Sequence, residues 1–110
     1  MSETGYIFFA DLAAEAPPPA RGILSQTLSE EGGVELVLFA MAGGERLSEH
    51  TAARPAIIHV LSGSGTLNVA TDEHNLQPGS WLRMAAGTAH ALFATTDLVF
   101  ALYLLPKEMP

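Results

Sequence analysis

Four histidines, His50, His59, His74 and His90, are the side chains best suited to chemistry in this chain. A neutral imidazole accepts a hydrogen bond or a proton near neutral pH and is the commonest metal ligand. The chain has no cysteine, which excludes disulfides, thiolate metal sites and thiol nucleophiles. Carboxylates are present but scattered, and the spacing of Glu45, Glu49 and Asp97 pairs no two of them for acid–base work. Ser48, Ser62, Ser64 and Ser80 lack the Gly-x-Ser-x-Gly elbow of a hydrolase nucleophile. The run SGSG at 62–65 alternates glycines, but no helix follows it to form a phosphate cradle. A site built on imidazole is what remains.

The elements that must position these histidines are short. Turn-forming clusters recur at 16–22 (APPPARG), 29–33, 42–45, 52–55, 62–65, 71–73, 77–79, 85–87 and 95–97. Between them lie runs of strand length: Ile23–Leu28, Val34–Met41, Leu47–Thr51, Ala56–Leu61, Thr66–Ala70, His74–Leu76, Ser80–Met84, His90–Ala94 and Leu98–Leu105. Strands so closely spaced predict an all-β sandwich or barrel. The one helical turn expected lies around Asp11–Glu15, before the prolines of 17–19 that no helix interior tolerates.

Composition sets the outer bounds. A chain of 110 residues, 48% hydrophobic, is one domain with enough apolar material for a core. Twelve acidic against five basic side chains give a net charge of −7. The absence of any basic cluster argues against nucleic acid or an anionic membrane as partner. The N-terminal stretch does not read as a signal peptide, and no apolar run is long enough to span a bilayer. A cytoplasmic location is expected on these grounds. VELVLFAM and LVFALYLLP are apolar at successive positions, so both faces of these strands need cover. A homodimer packed sheet on sheet is expected to supply it.

Two stretches have a more specific pattern. In the first, Gly44 is followed after five residues by His50, and Gly63 closes the run. In the second, Gly79, Gly87 and His90 keep an ungapped register after the NLQPGS stretch. Together they resemble the two motifs of the cupin superfamily, small barrels of the jelly-roll type, over about Leu36 to Leu104. The resemblance implies an all-β cupin barrel in a single domain, with residues 1–33 as N-terminal segment and first strand and 34–105 as the barrel core.

Cupins with the full motif hold a first-row metal through three imidazoles and a carboxylate. Here Ala52 stands for the second histidine, Ala56 for the glutamate, Ala85 for the motif proline and Ala94 for the final asparagine. His50 and His90 are the metal-ligand positions that persist. Two imidazoles are a poor divalent site, since a catalytic centre normally has three protein donors. No cofactor is certain from the sequence; the one candidate is a weakly held divalent transition metal. Alternation along Ala56–Leu61 puts His59 on the face opposite Ala56, Ile58 and Val60, away from the interior. His74, beside a hairpin turn, reads as a solvated edge residue. Trp81 and Arg83 share a strand face, which suits a cation–π pair.

The reading that follows is a small-molecule-binding cupin with a degenerate metal site, acting as a sensor or accessory protein. Its pocket is expected to be lined by Met41, Ile58, Val60, Leu82, Met84 and Leu92, with His50 and His90 as the polar marks. Such a lining suits a mostly apolar ligand with one or two hydrogen-bonding groups. The alternative is a metal-dependent enzyme, a dioxygenase or isomerase, working through His50 and His90.

Overall fold

The structure, a computed structural model, describes residues 5–107. Among these residues nine antiparallel strands form two sheets. The five-stranded sheet has the order β1 (Ile23–Ser29), β2 (Glu35–Met41), β9 (Leu98–Leu104), β4 (Ala56–Ser62) and β7 (Trp81–Met84). The four-stranded sheet has the order β3 (Arg46–His50), β8 (His90–Ala94), β5 (Gly65–Val69) and β6 (Asp72–Leu76). Every strand expected from the turn pattern forms, and the helical turn forms as a 3-10 turn at Leu12–Glu15. The largest boundary shift is in β6, which starts at Asp72. The β5–β6 hairpin closes on two residues, Ala70 and Thr71, because Val69 already pairs with Asp72.

The sheets face each other across one core. Met41, Ile58, Val60, Leu67, Leu98 and Phe100 are at most 2% exposed within it. Phe39 and Phe100, directly paired across β2 and β9, stack with centroids 5.0 Å apart and rings 2° from parallel. Each such buried side chain contributes about 1.5–3 kcal/mol relative to exposure. The architecture is a two-sheet jelly roll. Neither β6 nor β7 has a second hydrogen-bonded neighbour, so the sheets remain open along that side.

The outer face of the five-stranded sheet carries a second cluster, with Leu38, Ala40, Val99 and Ala101 buried. Leu12 and Ala13 of the 3-10 turn, Ala16 and Leu28 pack against it. The N-terminal segment thus covers part of this face within the chain. The large exposed apolar side chains are Tyr6, Ile7, Phe8, Leu24 and Trp81.

One turn tolerates no side chain. Gly63, between β4 and β5, has φ of 86°, and a Cβ there would run into the backbone carbonyl of Asp97. This close approach locks the turn onto the start of β9, where Ser64 N–H also donates to Thr96 Oγ1 at 3.0 Å. The turn that closes β5–β6 has the opposite fault. Ala70 takes φ of 53°, the left-handed region that costs an L-residue about 1–2 kcal/mol. Part of that is returned when glycine, which is looser in the unfolded chain, replaces alanine. Ala70→Gly should therefore raise stability by roughly 0.5–1 kcal/mol in urea denaturation. An unchanged or lower midpoint would show that the turn carries no such strain.

Candidate functional site

A bulge brings the two motif histidines together. Leu47 of β3 pairs with Leu92 of β8, yet the next pairing is His50 with His90. Three steps on β3 therefore match two on β8, and the extra residue in the Ser48–Glu49 stretch turns His50 back to the side of Leu47. Without the bulge, alternation would send His50 to the opposite face. The imidazoles lie 4.2 Å apart between centroids and are tilted by 56°.

The rim around them is pinned at several points. Gly87 N–H donates to the carbonyl of Ala52 at 2.8 Å, and Gly87 has φ of 82°, which suits glycine in so tight a turn. Thr88 Oγ1 donates to the Ala85 carbonyl at 2.8 Å. Arg54 holds the same loop from the other side. Its Nε donates to the Leu105 carbonyl at 2.9 Å, and its Nη2 to the carbonyls of Leu104 at 3.0 Å and Gly33 at 2.6 Å. Its Nη1 reaches Glu35 Oε1 at 3.4 Å. This clamp has no signal in the sequence, because its partners lie some 20 and 50 residues away.

Each ring is oriented by the carbonyl two residues before it. His50 Nδ1 lies 2.8 Å from the Ser48 carbonyl oxygen, and His90 Nδ1 lies 2.9 Å from that of Thr88. A carbonyl can only accept, so Nδ1 carries the proton in both rings and Nε2 presents its lone pair. Among the described residues neither Nε2 has a partner in the protein. No fully buried side-chain nitrogen or oxygen lacks a partner there either, so Nε2 of the buried His90 keeps contact with accessible space. Burial lowers the pKa of His90 below its ordinary 6.5; the Thr88 carbonyl raises it, and the neighbouring His50 lowers it further. At neutral pH the His90 ring is neutral and accepts hydrogen bonds.

This is how imidazoles are usually held when they bind a metal, with the second ring nitrogen donating to a backbone carbonyl. The remaining donors are missing. Ala56 is buried opposite Met84 and Leu104, and Ala52 lies on the loop held by Gly87 and Arg54. Among the described residues no group of three His, Cys, Asp or Glu could surround an ion. The donor set does not fit a tight protein-held metal.

The other sequence candidates fall as follows. His59 is on the outer side of β4, paired with Trp81 and Ala101 and away from Ile58 and Val60, as strand parity requires. Trp81 and Arg83 share the exposed side of β7, but the cation–π contact that forms is Arg46 over Phe93, 4.8 Å from the ring centroid. Glu45 and Asp97 serve as turn anchors: Glu45 Oε2 accepts from Gly22 N–H at 3.0 Å, and Asp97 Oδ1 from Gly43 N–H at 2.8 Å. Met41, Ile58, Val60, Met84 and Leu92 are buried in the core, with Leu82 half-buried at its edge. All six face inward, and most of them fill the interior. Ile58 and Leu82 alone of the six line a cavity of about 280 Å³ on the open β6–β7 side. His74 lies on the rim of that cavity, and His50 and His90 do not line it.

Comparison with known proteins agrees with this architecture. A family model described as "Cupin domain" matches residues 37–105. A comparison with curated protein sequences finds no match. Among solved structures, a conserved protein of unknown function from Streptococcus pyogenes superposes with a TM-score of 0.82 at 23% identity, over 94% of this chain and 91% of that one. A cupin superfamily protein from Desulfitobacterium hafniense gives 0.81 at 23% identity, over 87% and 88%. Salicylate 1,2-dioxygenase from Pseudoaminobacter salicylatoxidans gives 0.69 at 13% identity, over 83% of this chain and 27% of that one. At such identities the superpositions establish the fold alone. With the family match spanning most of the strands and both histidines at their motif positions, the chain belongs to the cupin family.

Proposed function

We propose that this cupin binds a small molecule at the His50–His90 pair and does not rely on a tightly held catalytic metal. The observation that carries the reading is the shared orientation of the two rings: both Nδ1 protons go to backbone carbonyls, and among the described residues neither Nε2 has a partner. A neutral imidazole so held is an acceptor. The complementary ligand group is a hydroxyl or N–H donor on an otherwise apolar body, since Val69 pairs with His90 and the Leu47–Leu92 pair follows on the same face. A sensor or accessory role follows naturally from binding without turnover.

The metal-dependent reading has one observation in its favour, the ligand-like orientation of both rings. Metal titration of the tag-free chain separates the two. Zn²⁺ is expected to bind weakly, and Ala52→His with Ala56→Glu to tighten it by at least about 100-fold, because losing even an outer partner of a metal ligand costs 10–100-fold. Stoichiometric first-row metal retained through purification of the unaltered chain would overturn the proposal in favour of the enzyme.

Acid should act on the same pair. In the unfolded chain His90 protonates near 6.5, whereas the folded site resists protonation to a lower pH. Between those two values the unfolded state holds more protons, so stability falls as pH drops below about 6.5. His90→Asn, which does not titrate, should lose less stability than the parent between pH 7.5 and pH 5 in urea denaturation. An equal loss in both would show that His90 is not the group responsible.

A further inference from the structure

We infer that the open side between β6 and β7 is a second binding site, for a neutral single-ring molecule carrying one hydroxyl group. The inference goes beyond the His50–His90 reading, because neither histidine lines this cavity. The site arises from topology. β6 ends one sheet and β7 ends the other, and no hydrogen-bonded strand joins them. Ile58 and Leu67, 2% and 1% exposed, form the floor; Leu76 and Leu82 extend it; His74, Ser80 and Trp81 stand at the rim.

His74 is the polar group aimed at this space. Leu67 pairs with Leu92 on one side and with His74 on the other, so all three side chains share the inner face of the four-stranded sheet. His74 is exposed, and among the described residues its imidazole has no partner. Ser80 Oγ is already engaged, accepting from Gln77 N–H at 3.0 Å. An imidazole can donate or accept, which suits a hydroxyl group.

Size and charge fix the rest of the class. An apolar cavity of about 150 Å³ accommodates benzene. About 280 Å³ therefore takes one ring with a short substituent. The aliphatic floor of Ile58, Leu67 and Leu76 asks for an apolar body. Asp72 and Glu73 immediately precede His74, in a chain of net charge −7, so a carboxylate on the ligand is repelled.

The test is titration of the full chain with p-cresol, followed by ¹H–¹⁵N spectra. Saturable shifts are expected at Leu67, His74, Leu76, Ser80 and Leu82. His74→Ala, a change at an exposed edge position, should weaken binding about fivefold, the scale of one hydrogen bond. p-Toluate, similar in shape but anionic, should bind more weakly than p-cresol. The proposal is overturned by the absence of saturable shifts, by shifts centred on His50 and His90, by unchanged affinity in His74→Ala, or by p-toluate binding as well as p-cresol. Shifts centred on His50 and His90 would support binding at that pair while overturning this site, and the other outcomes leave that pair untouched, so the two readings fail separately.

Discussion

Burial of both faces of β9, held between β2 and β4, is the constraint on which the rest of this structure depends. Leu98 and Phe100 enter the core between the sheets, while Val99 and Ala101 enter the outer cluster. A strand with no wet face needs two covers. The four-stranded sheet provides one, and the N-terminal segment with its 3-10 turn provides the other. The motif elements hang from this arrangement. Gly63 brings the β4–β5 turn against the start of β9, and Arg54 ties the loop after β3 to its end. The histidine pair therefore sits on a frame fixed at both ends of one central strand.

On that frame the site keeps the orientation of a metal centre without its donors. The bulge in β3, the two Nδ1–carbonyl hydrogen bonds and the turn at Gly87 all persist. Ala52 and Ala56 remove the two further donors that would complete a coordination shell. Without such donors the pair presents hydrogen-bond acceptors rather than a coordination shell. Burial strengthens this acceptor character at His90, because desolvation favours the neutral ring.

Much of the fold was legible because its signals are local. Glycine and proline clusters mark the turns, and period-two alternation correctly sent His59 outward. The pairing of His50 with His90 was legible only through motif resemblance. Simple alternation from Leu47 gives the wrong face, and the bulge that corrects it has no glycine or proline to announce it. Alternation also told which side chains face inward but not where packing leaves space. Met41, Val60, Met84 and Leu92 fill the interior, and the cavity lies at the β6–β7 opening. His74 read as a solvated edge residue, and it is exposed; that its edge borders a cavity depends on strand order, a non-local property. The Arg54 clamp was hidden for the same reason.

The central claim is that His50 and His90 both present a bare Nε2. Long-range ¹H–¹⁵N correlation of the histidine side chains at pH 7.5 tests it directly. The structure predicts that in each ring Nδ1 carries the proton donated to its backbone carbonyl, with Nε2 left as the acceptor. A proton on Nε2 of either ring, or a doubly protonated imidazolium at that pH, would contradict the account.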